Sequence, residues 1–276
     1  VRTPAGSYEP QRITFASGDR VTFDRVLIGE VWFAGGQSNM EMPLGGFWQC
    51  PVTDANEIIA RASAKSGKLH YVKIPHAAAY TPQDRTAGSW TPCTTATAAK
   101  FTAAGYFFAE MLNDVLSVPV GIIDCSWGGS RVESWMSREV LSGYSDIDLT
   151  EEGISRVAQH LRPMVMYNAM LRPVAGYTVR GFLWYQGESN VGRYMDYAAR
   201  LADMVSLWRG LWAQDDLPFY YVEIAPFEYG NGKSPYLREA QCRAQELIPN
   251  SGMICTNDLV EPYEFCNVHP KNKRDV

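Results

Sequence analysis

The 276-residue sequence has no apolar run near the ~20 residues that a membrane-spanning helix requires, which argues against membrane insertion. It is also short of positive charge: 25 Lys and Arg stand against 30 Asp and Glu, for a net charge of -5. Nucleic acid and anionic lipid both need a basic face, so neither is an expected partner. Cysteine is sparse and unpatterned. The six residues at 50, 93, 125, 242, 255 and 266 include no C-x-x-C pair, and no histidine stands at zinc-finger spacing, so no metal framework is expected. An even number permits disulfides in an oxidising compartment, but nothing in the spacing pairs them. The opening residues Val1-Arg2-Thr3-Pro4 do not read as a signal peptide, and there is no internal repeat or low-complexity stretch. What is present is a globular composition rich in rings. Eight Trp and 15 Tyr suit stacking on sugars or lining a cleft, although large aromatics also fill cores.

Along the chain, Arg12 to Phe15 and Arg20 to Val26 read as short strands joined by a Ser17-Gly18-Asp19 turn. Val26 to Ala34 is a nearly continuous apolar run ending in Gly35-Gly36, the pattern of a strand covered on both faces. Strand-like and helix-like segments then alternate. Val118 to Cys125, Val179 to Tyr185, Phe219 to Ile224 and Gly252 to Thr256 read as strands. Tyr106 to Leu116, Met164 to Leu171, Tyr197 to Trp212 and Leu237 to Ile248 read as helices, with Leu201, Met204, Val205 and Trp208 on one face of the third. Such alternation predicts an α/β three-layer sandwich with a mostly parallel five-stranded sheet between helices. Cys50 to Gly88 carries no clear pattern and reads as an insertion.

Ligands of such sheets bind beyond the carboxyl ends of the strands, so the loops after the strands are the place to look for a site. Gly35-Gly36-Gln37-Ser38-Asn39-Met40-Glu41 would present Ser38 on a tight turn, either as a nucleophile or as an ordinary helix-capping serine. It is not the G-x-S-x-G elbow, because Met40 stands at the last glycine position. Ser126-Trp127-Gly128-Gly129-Ser130 would let a backbone N–H approach a ligand. Trp184-Tyr185-Gln186-Gly187-Glu188-Ser189-Asn190 runs from a buried strand into amide and carboxylate groups, which need partners or a task. Cys266-Asn267-Val268-His269-Pro270-Lys271-Asn272-Lys273 holds the one histidine of four that lies in a loop after a late strand. His70 and His76 fall in the unpatterned segment, and His160 in a polar helical stretch. Together the four loops suggest a hydrolase site.

In this order they resemble the sequence blocks of the SGNH (GDSL-like) hydrolase superfamily, in particular its sialate O-acetylesterase and acetylxylan-esterase-like branch. The resemblance spans Val26 to Asp275. It implies that Ser38 is the nucleophile and His269 the general base. It implies an oxyanion hole of the Ser38 N–H, the Gly128 N–H (Gly129 as alternative) and the Gln186 side chain, with Trp127 and Asn190 on the substrate side. The superfamily usually places Asp three residues before the histidine, and this chain has Cys266 there. Glu188 is the favoured replacement, with Glu264, Asp258 or a Ser-His dyad as alternatives.

The implied activity is a cofactor-independent serine esterase acting on O-acetylated carbohydrate, sialate first and xylan or another polysaccharide second. A catalytically impaired carbohydrate-binding protein is the rival. Relatives acting on glycans imply a secreted or periplasmic location. Residues 1–25 read as the trailing part of an upstream β-rich segment and 26–276 as the catalytic domain, with a further C-terminal helix expected by the resemblance.

Overall fold

The computed structural model of the chain describes residues 3–230 and 232–276. Its organisation follows from the buried strands. β1 (Ser7–Ser17) and β2 (Asp19–Ile28) form an antiparallel hairpin that stands outside the main sheet. Phe15, Val21 and Phe23 remain exposed on it. β3 (Glu30–Gly36), β4 (Leu69–Lys73), β5 (Thr91–Pro92), β6 (Val120–Ser126), β7 (Gly181–Tyr185), β8 (Phe219–Val222) and β9 (Ser251–Ile254) make one sheet in the order β5-β4-β6-β3-β7-β8-β9. Only β5 pairs antiparallel.

The sheet therefore has seven strands where the sequence pattern predicts five. The two additional strands are β4 and β5. His70 and Lys73 interrupt the apolar run of β4, which hides it from a pattern search, yet Leu69, Tyr71 and Val72 are buried and the strand pairs with β6. The segment read as an insertion thus contributes to the core. The apolar run from Val26 also divides. Its first three residues finish β2, and the sheet strand starts at Glu30 after Gly29, whose Cβ would lie 2.0 Å from the Pro119 carbonyl oxygen.

Both faces of the sheet are covered, and side chains alternate between two cores with the period of a strand. Phe33, Ile123, Phe182 and Trp184 point to one side, among Trp135, Trp208 and Leu237. Trp32, Ala34, Ile122, Leu183 and Tyr185 point to the other, among Met40, Phe101 and Tyr106. The helices Tyr197–Trp212 and Ser234–Leu247 bury residues in the first core, and Ala103–Leu116 in the second. The Met164–Leu171 segment is helical but widens to a π-helical turn over Tyr167–Leu171. All six cysteines are unpaired thiols. Among the described residues no helix is long and apolar enough to cross a membrane.

From β3 the chain departs toward β4 on one side, and from β7 toward β8 on the other. Connections that diverge from neighbouring strands open a crevice at their carboxyl ends. The loops carrying Ser38 and Glu188 leave from these two ends.

Candidate active site

The Ser38 turn is set by two glycines at the end of β3. Gly36 has φ +139°, and a Cβ there would lie 2.2 Å from the Tyr185 carbonyl oxygen, so only glycine fits. Gln37 N–H donates to that same carbonyl (2.9 Å), and the chain enters a single helical turn, Ser38–Glu41. Ser38, half-buried, is the first residue of the turn, and an N–H at that position has no intrahelical acceptor.

The glycine loop after β6 lies against this turn. Trp127 N–H and Ser130 Oγ both donate to the Gly36 carbonyl, at 3.0 and 3.3 Å. Gly128 is close enough that a Cβ on it would lie 3.4 Å from Ser38 Cβ. Its N–H, however, donates to Glu41 Oε2 (2.6 Å). Glu41 Oε1 meets His76 Nε2 at 2.8 Å and Lys73 Nζ at 3.3 Å, and the His76 ring stacks on Trp127 with centroids 4.4 Å apart. Burial alone would raise the Glu41 carboxyl, but the His76 hydrogen bond and the Lys73 charge outweigh it, leaving the group below its ordinary range. Burial pushes Asp124 up to about 6 against the opposing pull of Lys73 and Ser126. Gly129 packs against His160, whose Cδ2 would lie 3.0 Å from a Cβ there.

The loop after β7 departs from expectation at two residues. Gln186 is fully buried, and its Nε2 donates to Gln37 Oε1 (3.2 Å), the Ser130 carbonyl (2.9 Å) and Asn190 Oδ1 (2.8 Å). Its Oε1 accepts from Tyr197 OH. With both amide hydrogens engaged inside the protein, Gln186 has none to offer an oxyanion. Asn190, expected on the substrate side, is equally buried: it donates to Glu133 Oε2 (2.9 Å) and accepts from Val132 N–H (3.1 Å). Both residues tie loops together.

Glu188 does not hydrogen-bond His269. Its Oε1 accepts from Asn39 Nδ2 (2.6 Å), and its Oε2 is buried without a partner among the described residues. Burial raises this carboxyl, offset in part by its own backbone N–H, by Asn39 and by the Lys273 charge. The other two acids are also elsewhere. Glu264 Oε1 accepts from Lys271 N–H and its Oε2 from Glu261 N–H, capping the short turn Pro262–Glu264, and Asp258 is exposed. Among the described residues no carboxylate is hydrogen-bonded to His269.

The histidine loop is shaped by its own backbone and by Asn39. Asn267 Oδ1 accepts from His269 N–H (2.9 Å), and the Val268 carbonyl accepts from Asn39 Nδ2 (2.9 Å). The His269 ring packs edge-on to Phe47 at 5.2 Å, with Nε2 buried and unpartnered. Burial, then the charge of Lys273, lowers its pKa. A neutral imidazole with a free ring nitrogen is the form a general base needs.

The structure thus brings Ser38, Gly128 and Trp127 together and joins the Ser38 turn to the His269 loop through Asn39. Residues that pattern reading passed over are Asn39, Glu41, Lys73, His76 and Lys273. Asn39, Glu41 and Lys273 stand inside two of the quoted blocks, where that signal was available. Lys73 and His76 carry no local signal.

A carbohydrate acetylesterase from Xanthomonas citri has a similar structure, with 34% identity and a TM-score of 0.85 over 100% of this chain and 60% of that one. An Arabidopsis thaliana protein shares the fold at 16% identity and a TM-score of 0.54, over 89% of this chain and 92% of that one. The sialate O-acetylesterases of Mus musculus and Homo sapiens are 26% and 27% identical over 91% of this chain, and the chain spans 55% and 52% of their lengths. The family model described as carbohydrate esterase, sialic acid-specific acetylesterase, matches residues 28–273, and the chain belongs to that family.

Proposed function

We propose that this chain carries a serine esterase that removes O-acetyl groups from carbohydrate. His269 Nε2 takes the Ser38 hydroxyl proton as Oγ attacks the acetyl carbonyl carbon. The carbonyl π bond becomes a tetrahedral oxyanion. Collapse of that intermediate expels the sugar oxygen, which leaves with the proton from His269. Water, deprotonated by the same imidazole, then cleaves acetyl-Ser38 to acetate and free serine.

The observation that carries this reading is the meeting of the Ser38 turn with the glycine loop, close enough that a Cβ on Gly128 would lie 3.4 Å from Ser38 Cβ. The Ser38 N–H is one oxyanion donor. Gly128 N–H is held by the Glu41 carboxylate, which favours Gly129 N–H as the second donor, or Gly128 after Glu41 swings aside. With no acid on the imidazole, the base works in a Ser38–His269 dyad. The half-buried Trp127, stacked on His76 and packed against the first core, stands at the edge of this site. The substrate favoured is O-acetylated sialic acid, as acted on by the mammalian relatives, with acetylated xylan or another polysaccharide second. Such glycans are reached from a secreted or periplasmic location.

Acetate release from acetylated sialosides and from acetylxylan tests the reading. Release that is lost in Ser38→Ala supports it. Sugar binding without any acetate release would instead identify a carbohydrate-binding protein, a reading favoured by the missing carboxylate at His269.

A further inference from the structure

Lys273 has no part in the chemistry above, yet it is fully buried. Removing an ammonium from water costs several kcal/mol unless the site answers with strong partners, so such a residue calls for an explanation. Its one hydrogen-bond acceptor is Asn39 Oδ1, at 2.6 Å, and Nζ lies 5.2 Å from the centre of the Tyr185 ring. Asn39 is itself fully buried. Its two amide hydrogens serve two acceptors, Glu188 Oε1 and the Val268 carbonyl.

This network permits one orientation of the Asn39 amide. A flip would set Oδ1 against two acceptors and the NH₂ group against a side chain that can only donate when charged. Asn39 follows Ser38 in the chain, and Val268 precedes His269. The amide is thus a strut between the nucleophile turn and the histidine loop, segments 229 residues apart in sequence.

We propose that Lys273 is a positioning residue for deacetylation, which locks the Asn39 amide and so fixes the histidine loop against the Ser38 turn. The proposal rests on the reading of Ser38 and His269 as nucleophile and base. Lys273 has a second, electrostatic consequence. Burial lowers its own pKa to about 7, while Glu188, Glu264 and Cys50 act in the opposite direction. Below neutral pH it carries charge, and that charge disfavours the imidazolium form of His269. Phe47, which packs edge-on to the ring, is neutral. Lys273 therefore keeps the base unprotonated further into the acid range.

The test is kcat and KM on p-nitrophenyl acetate as a function of pH, for wild type, Lys273→Met, Asn39→Asp and Ser38→Ala. Misplacing reacting groups by an ångström costs up to about 100-fold, so Lys273→Met should lower kcat about 10- to 100-fold, with KM for this small ester changed little. The acid limb of kcat/KM should also move to higher pH. A folded Lys273→Met protein with wild-type kcat, or with reduced kcat and an unmoved limb, overturns the proposal. Should that variant not fold, Asn39→Asp keeps the volume and the Lys273 contact but loses both N–H donations. It should lose kcat with KM retained, and undiminished kcat overturns the strut. In wild type the limb must lie below the ordinary imidazole pKa; a limb at or above that value overturns the electrostatic part. Turnover that survives Ser38→Ala would instead remove the catalytic reading beneath the proposal, an outcome distinct from all of these.

Discussion

Two pairs of buried residues around Ser38 differ in how their polar atoms are satisfied. Toward β6 and β7, the side chains of Gln186 and Asn190 have every polar atom paired, and they link the Ser38 turn, the glycine loop and the helix Tyr197–Trp212. His269 Nε2 and Glu188 Oε2, by contrast, are buried without partners among the described residues. A saturated buried network rigidifies its surroundings, whereas an unpaired buried atom is a cost retained where a reaction uses it. Gln186 and Asn190 therefore serve as frame, and the proposed chemistry falls to the free His269 nitrogen. The amides of the Gln-Gly-Glu block belong to the frame, although their polarity alone suggests a role in catalysis.

Variants of these residues and of Ser38 should separate these roles. The largest effect belongs to Ser38→Ala, which removes the proposed nucleophile and should lower acetate release by about 10⁴-fold or more while leaving the melting temperature near wild type. Gln186→Leu should behave in the opposite sense. It strands the Ser130 carbonyl and takes one partner each from Tyr197 OH and Asn190 Oδ1, and urea unfolding should show a loss of about 1–3 kcal/mol. A stable Gln186→Leu protein with turnover reduced ~10²–10³-fold would return Gln186 to the oxyanion hole and break the comparison.

Glu188→Gln retains an acceptor for Asn39 but removes the charge facing Lys273, so kcat should fall by about 10-fold. Glu264→Gln, at the Pro262–Glu264 cap, should leave kcat close to wild type. The reverse ranking would place the acting acid in the late loop. Smallest is the pH effect of Glu41. Its carboxyl is depressed in the folded state, so its contribution to stability is present above the unfolded carboxylate pKa and is lost as pH falls through the lower folded value. Thermal melts of Glu41→Gln should accordingly decline less steeply on acidification than those of wild type.

Much of the fold was legible because both faces of the sheet are dry. Strands such as Val120–Ser126 and Gly181–Tyr185 are unbroken buried runs, and the helix Tyr197–Trp212 shows its apolar face at the expected spacing. β4 was not legible. Its His70 and Lys73 imitate a surface segment, although the strand pairs with β6 and the chain just beyond it carries His76 to Glu41. The site divides in the same way. The Ser38 turn is readable because two adjacent glycines end an apolar run just ahead of it. The inward aim of Gln186 is not, since an amide reads the same whether it faces a ligand or three buried acceptors.

The sequence by itself determined the alternation of strands and helices, the bend that presents Ser38 and the blocks that place the chain among carbohydrate esterases. These are short-range properties, set by the sterics of neighbouring residues and by the periodicity of burial. Tertiary structure alone decided that Glu41 holds Gly128, that Glu188 turns to Asn39 rather than to His269, and that Lys273 reaches Asn39 across 234 residues of sequence. Those pairings depend on which loops a parallel sheet brings to one edge. Nothing within a few residues of either partner records them.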